Sequence, residues 1–405
     1  MPGLALPRSE PSVNHNGAVP HAFFFLASLA WNFGLGMTWL AVPLYAAAQG
    51  LSNAQIGLLI SLPVLAQVPL NLAGGAYTDR IGGRRIVLFS CAMQAVAAAW
   101  LATAEGFWLL LAGQFLLILS RAGFWPATWA LASELPGARG VQMGRLNAVT
   151  NVGQIAGTTL CGVLLAATGF VTTFAAMAAV GVAAFLCGLG TRGAPPKKTA
   201  HASHPLASYR PLLSLPIIRY SVMCAYVSAL PFSLSISFYP LLLARFGHGE
   251  EASGVLLAVR ALGSIAAGLI AARFVRTGPD TLWPVVCGVA VAAAIGLFPL
   301  VNHAAMLGFW MLLVGVGTGA MTLYFQIAIS EASRPEQRGS ALALGGMGWS
   351  VSHLSTPLLM GFLADRYGIV TGFYVLGAVA LACSIAIGAM RKHAFAAGAT
   401  PPTRP

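Results

Sequence analysis

Long apolar runs separated by short polar breaks are the dominant pattern of this chain. Twelve runs can be marked, at about 21–47, 54–78, 84–104, 107–133, 143–167, 170–191, 215–245, 252–275, 281–302, 304–330, 340–364 and 370–391. Most reach the ~20 apolar residues that a helix needs to cross a hydrocarbon core. Their length favours helices over barrel strands, because a helix satisfies all its backbone hydrogen bonds within one segment. The pattern therefore predicts an all-α integral membrane protein with twelve transmembrane helices. The first run follows a polar, Pro-rich stretch and is too long for a cleaved signal segment, so it is expected to remain as the first helix.

The longest polar break, "RGAPPKKTAHASHPLASYRP" from Arg192 to Pro211, has the Pro, Ser and Lys content of a linker. It predicts a tail over 1–20, a six-helix bundle over 21–191, a linker over 192–214, a second bundle over 215–392 and a tail over 393–405. The two halves also repeat. Pro43 and Gly57 match Pro240 and Gly254, each 197 residues on. "GVLLAATGFVTTF" at 162–174 matches "GFLADRYGIVTGF" at 361–373 at an offset of 199, where Arg139-Gly140 also meets Arg338-Gly339. Ordered matches at nearly constant offset indicate two copies of a six-helix unit, a transporter plan that places a substrate site between the copies.

Composition strengthens this reading. The 405 residues are 58% hydrophobic and only 8% charged, with mean hydropathy +0.79, whereas soluble chains are about a quarter charged. The net charge of +12 lies in short breaks, as membrane topology requires, and does not call for nucleic acid. Of 22 Lys and Arg, 18 fall on the side shared by both termini and the central break. Arg245 and Arg366 fall on the other side, and Arg121 and Arg260 lie within runs. The positive-inside rule then places both termini in the cytoplasm of a multi-pass cell-membrane protein. Six cysteines, all inside apolar runs and none in CxxC spacing, read as small buried hydrophobes, with no metal site or disulfide framework.

The stretch "GGAYTDRIGGRR" at 74–85 concentrates charge at one joint, between the second and third runs. Gly75, Asp79, Arg80, Gly82 and Arg84 fill the pattern G-x-x-x-D-R-x-G-x-R. With twelve runs and two repeats, the chain resembles the major facilitator superfamily over about 21–391. The resemblance implies two pseudo-symmetric six-helix bundles, alternating access, and a gating role for these five residues: close helix packing at the glycine, and an Asp paired with basic groups and a helix terminus of the opposite half. Tyr77 and Gly83 stand where Leu and Arg are common in the family. In the second copy Ala272 and Arg276 replace Gly75 and Asp79, which implies a one-sided latch. Gln114 replaces the usual Arg of the fourth helix, and Thr158 replaces the Pro of the drug–proton exchanger signature in "GQIAGTTLCG".

An ionisable residue in mid-membrane is costly and so is a functional candidate. All ten carboxylates lie at run ends or in breaks. Arg121, Arg260 and His353 lie deep in their runs. A cavity lined by them would be positive without a carboxylate partner and would suit an anion, which the Arg fork binds bidentately. Each Arg could instead bond backbone carbonyls. Arg121, Trp125 and Trp129 recur every four residues on one helix face, as an aromatic cavity wall or as packing. In the family, helices 1, 4, 7 and 10 line the cavity, which implies Trp31, Asn32, Tyr226 and Tyr324 as further substrate contacts. Asn147, Asn151 and Gln154 share a face of the fifth run and read as interhelical hydrogen bonding. His353 is either a proton carrier or a neutral ring bonded to a neighbour.

No G-x4-G-K-[ST] loop, HExxH or paired mid-membrane Asp occurs, so neither ATP-driven pumping nor an enzyme is expected: no catalytic residue and no cofactor is assigned. The expected function is secondary transport of a small organic solute, leaning to an organic anion or amphipathic metabolite, by a monomer in the bilayer with a possible coupling proton. A proton-coupled drug or metabolite exporter is the alternative, and a non-transporting receptor a remote one.

Overall fold

The computed structural model describes residues 18–136, 138–191, 215–271, 274–333 and 338–396. Within them every regular element is a helix, and there is no strand. The elements are α1 (Ala18–Ala48), α2 (Asn53–Ile81), α3 (Gly83–Leu101), α4 (Gly106–Glu134), α5 (Arg139–Leu189), α6 (Pro216–Ser235), α7 (Phe238–Arg245), α8 (Glu250–Ala271), α9 (Trp283–Leu297), α10 (Ala304–Ala332), α11 (Arg338–Gly345), α12 (Met347–Tyr367) and α13 (Ile369–Ala396). Nine helical stretches among the described residues are long and apolar enough to cross a membrane. One of them, Val141–Leu189, reverses at Gly169 and makes two passes. Gly169 has φ +78 and ψ −175, a conformation that L side chains with a Cβ avoid. With α2 and α12 the passes number twelve, as the apolar runs predict. The predicted linker, 192–214, and the predicted tails apart from 18–20 and 393–396 lie outside the described residues.

Two apolar runs are less continuous than expected. The run 215–245 is split into α6 and α7 by a turn at Ile236 and Ser237, where Ser237 takes φ −138 and ψ −80. The run 340–364 is split at Gly346, between α11 and α12. Neither break carries a charge or a Pro, so hydropathy does not register it.

Helix pairings in the first half recur in the second. α1 packs on α5 as α6 packs on α12; α2 on α4 as α8 on α10; and the later part of α5 on α3 as α13 on α9. Such contacts depend on small residues, because lipid supplies no hydrophobic drive between helices and close van der Waals packing must take its place. At Gly157 of α5 a methyl group would collide with the Phe33 carbonyl of α1, and at Gly348 of α12 with the Val222 carbonyl of α6. Large apolar side chains on the outer surfaces, such as Leu269 at 72% exposure, belong against acyl chains rather than water.

The turns gather on two faces. One carries the start of α1, the Gly82 turn and most of the arginines, and is called the basic face here. There Arg84 donates to the Leu189 carbonyl at 2.7 Å, tying α3 to the end of α5, and Arg391 donates to the Pro279 carbonyl at 3.2 Å. Gly82 itself, with φ +93, ends α2 and starts α3. Arg80 is exposed, while the surroundings of Gly75 and Asp79 lie outside what is described. On the opposite face, Gln49 donates to the Ala104 carbonyl and His248 bonds Asn302.

The two halves meet through α2 with α12 and through α5 with α8. Their closest approaches lie toward the opposite face. Gly57 lies against the Pro357 carbonyl, Gly361 against Asn53, and Gly162 against Glu250. Asp365 adds a polar link. Its Oδ1 accepts from the Asn53 backbone and side-chain N–H groups, and its Oδ2 from the Ala54 N–H, all at 2.9 Å. The two backbone groups are first-turn donors of α2, which no helical carbonyl can reach. Ser52 and Gln55 complete the turn with a capping box. A carboxylate from one half therefore finishes the cap of a helix from the other.

Candidate functional site

A cavity of about 640 Å³ lies between the halves, on the basic-face side of those contacts. α2, α4, α5, α6, α8 and α12 supply most of its wall, with Leu35 and Trp39 from α1 and Thr318 from α10. Arg121, Arg260, Trp125 and His353 all line it, together with Trp129 and Gln154. No Asp or Glu does.

Arg121 projects from α4 and is half-buried; Arg260 projects from α8 and is 5% exposed. Neither has a hydrogen bond or ion pair among the described residues, and the Nε of each is buried without a partner. Arg260 sits over the Phe232 ring, its Cζ 5.3 Å from the centroid. This is a cation–π contact. Such a contact attracts the cation but leaves its charge in place. Other unpartnered buried atoms on the wall are Trp39 Nε1, Thr318 Oγ1 and Asn71 Oδ1. Donors outnumber acceptors in this set, so the wall asks for a ligand rich in acceptors.

His353 is half-buried on α12. Its Nδ1 lies 2.6 Å from the Trp349 carbonyl, which can only accept, so Nδ1 carries the proton. The ring packs between Trp349 at 5.7 Å and Phe232 at 5.2 Å. Trp39 of α1 meets Phe232 of α6 edge-on at 4.9 Å, so aromatic rings from both halves touch at the wall. Trp125 stands 6.2 Å from Trp129.

Four sequence candidates are not on this wall. Asn32 is fully buried, donating to the Ser28 carbonyl and accepting from Gln154 Nε2 at 2.9 Å. It holds α1 to α5, and Gln154 is the member that reaches the cavity. Tyr324 is fully buried in the second half, its hydroxyl 3.1 Å from that of Tyr220. Tyr226 is half-buried and takes a 3.4 Å hydrogen bond from Ser355. Trp31 stacks on Phe124 at 3.6 Å and donates to Ser120, within the first half. Each helix was identified as cavity-lining, but the face it turns inward is set by packing. Asn151 donates to the Asn147 carbonyl and also lines the cavity.

The sequence reading missed Trp39, Phe232, Trp349, Gln67 and Asn71. The three aromatics carry no signal inside apolar runs. Gln67 and Asn71 do: two amides four residues apart in a membrane helix share a face and need polar company.

The Major Facilitator Superfamily model matches residues 24–333 and 298–404. An uncharacterized MFS-type transporter, YhjO of Bacillus subtilis (strain 168), is 26% identical over 342 residues, spanning 82% of each chain. The enterobactin exporter EntS of Citrobacter koseri (strain ATCC BAA-895 / CDC 4225-83 / SGSC4696) is 25% identical over 371 residues, 84% of this chain and 87% of the relative. Among solved structures, a bacterial homolog of the human lysosomal transporter Spinster, inward-facing and occupied, superposes with TM-score 0.76 at 17% identity, covering 98% of this chain and all of that one. The nucleoside transporter NupG superposes with TM-score 0.75 at 13% identity, covering 92% and 99%. Family match, twelve helical passes and fold agree: this multi-pass membrane protein belongs to the major facilitator superfamily of transporters.

Proposed function

We propose that this transporter carries a small organic anion with an aromatic or otherwise apolar body, by alternating access of two six-helix bundles, 21–191 and 215–392. The observation that carries the reading is the pair Arg121 and Arg260, which among the described residues have no hydrogen-bond or ion-pair partner and share a cavity wall with no carboxylate. A ligand carboxylate, phosphate or phenolate would supply the missing acceptor, and the tryptophan and Phe232 rings would hold its apolar part. With the arginine-rich face taken as cytoplasmic, the contacts at Gly57, Gly361, Gly162 and Asp365 would lie toward the outer face, with the cavity on their inner side. Arg121, Arg260, Trp125 and His353 are the proposed substrate contacts. Gly82 and Arg84 shape the α2–α3 turn beside Gly75, Asp79 and Arg80, which are proposed as a gate.

A second reading, a proton-coupled metabolite exporter, draws support from the enterobactin exporter among the relatives and from the free Nε2 of His353.

Thermal unfolding of purified protein against aryl carboxylates, organophosphates and lipophilic cations tests the main reading. A ligand of the folded state raises Tm. Anions are expected to raise Tm and cations to leave it unchanged; stabilisation by cations alone would contradict the reading.

A further inference from the structure

Alternating access passes through a state in which the site is shut at both faces. In the present structure Arg121 and Arg260 still share a cavity of about 640 Å³. Shutting the second face would take away the space in which their guanidiniums are solvated. An isolated charge deprived of water in a low-dielectric interior must be neutralised or paired. Nothing among the described residues of the wall can do this. No Asp or Glu among the described residues lines the cavity, and all ten carboxylates of the chain sit at the ends of apolar runs or between them. The Phe232 ring under Arg260 leaves the charge intact. Protonation of His353, the other titratable side chain on the wall, would add to the positive charge. Neither arginine can readily give up its proton.

We infer that the empty protein is held facing one way, and that it crosses only with an anion between Arg121 and Arg260: the transport mode is obligatory exchange of one anion for another. The inference rests on the anion-binding reading above and extends it to the return step. The placement of the two groups serves this mode. Arg121 belongs to α4 and Arg260 to α8, in the halves that must move against each other. A carboxylate between them can give one oxygen to each guanidinium, leaves one net positive charge where the empty site has two, and bridges the moving parts. After it is released, both charges are again uncompensated, and the return waits for a second anion. Proton symport and free uniport would each need the unladen site to close.

The test follows the outer face of the full-length protein in lipid nanodiscs. Spin labels at Thr103→Cys and His303→Cys, exposed positions one in each half, report the separation of the halves there by pulsed electron paramagnetic resonance. At low ionic strength the labelled protein should show one short distance population. Benzoate, as the probe anion, should add a longer one. The Arg121→Gln/Arg260→Gln variant should populate the longer distance with no benzoate present, since neutral side chains close without a counter-ion. Proteoliposomes preloaded with labelled benzoate should lose it at least tenfold faster into external benzoate than into benzoate-free buffer. Two distance populations in the anion-free arginine-bearing protein, or a double-glutamine variant locked like its parent, would overturn exchange. The anion reading fails separately, if no anion in the thermal panel stabilises the protein.

Discussion

Arg121 and His353 face the same cavity, yet chemistry assigns them different work. A guanidinium offers a planar fork that meets two oxygens at once, whereas an ammonium is a point charge. Arg121→Lys should therefore keep the charge and weaken anion binding by roughly tenfold, about 1.4 kcal/mol, through loss of the bidentate geometry. Equal affinities in a binding titration would show that only charge matters there. His353 commits Nδ1–H to the Trp349 carbonyl and packs between two aromatic rings, the setting of a neutral, packed imidazole. His353→Gln should leave the pH profile of transport between pH 5.5 and 8 unchanged in shape. A profile flattened by the substitution would favour proton coupling instead. Both residues stood out in the sequence, because a charged or titratable group inside an apolar run is costly. Trp39 and Phe232 did not, since an aromatic ring in such a run is ordinary.

Elements are where hydropathy succeeds and stops. It located all twelve passes, because each must hold about 20 apolar residues. It did not locate the turns at Ile236–Ser237 and Gly346, which involve no change of polarity. Nor does it say which side of a helix faces the cavity. Asn32 lies on the right helix, but its amide is spent on Ser28 and Gln154; Tyr324 is likewise spent on Tyr220. The meeting of α2 and α12 is a three-dimensional fact of the same kind. Asp365 sits beyond the last apolar residues of its run and caps α2 from the other half. Asp365→Ala should weaken closure of that face by about 1 kcal/mol, the usual worth of a cap. Distance measurements across the face would show the open population rising roughly fivefold; no change would mean that the glycine contacts suffice. Partial burial raises the Asp365 carboxyl, but hydrogen bonds from Ala54 and Asn53 outweigh it and hold the carboxyl below the ordinary aspartate value. A depressed carboxyl stabilises the closed form at pH values above its ordinary value of about 3.9 and loses that contribution as pH falls further. Closure should thus be constant from pH 5 to 8 and weaken only in strong acid.

At the scale of the whole molecule, charge is sorted into two populations. Most basic residues lie in the breaks between apolar runs, and two arginines between the halves have no hydrogen-bond or ion-pair partner among the described residues. The first population was read directly from the sequence, and so was the existence of the second. That both arginines border one cavity, from opposite halves, required the fold. Substrate identity is a matter of cavity shape and does not follow from charge alone. The most direct measurement of the central claim is uptake of radiolabelled benzoate into proteoliposomes by the parent protein and by Arg121→Ala and Arg260→Ala. Benzoate-loaded vesicles holding the parent protein should take up label, and either alanine variant should reduce uptake at least tenfold, with Tm in the absence of ligand preserved. Uptake by both variants at the parent rate would contradict an anion site built on these two arginines.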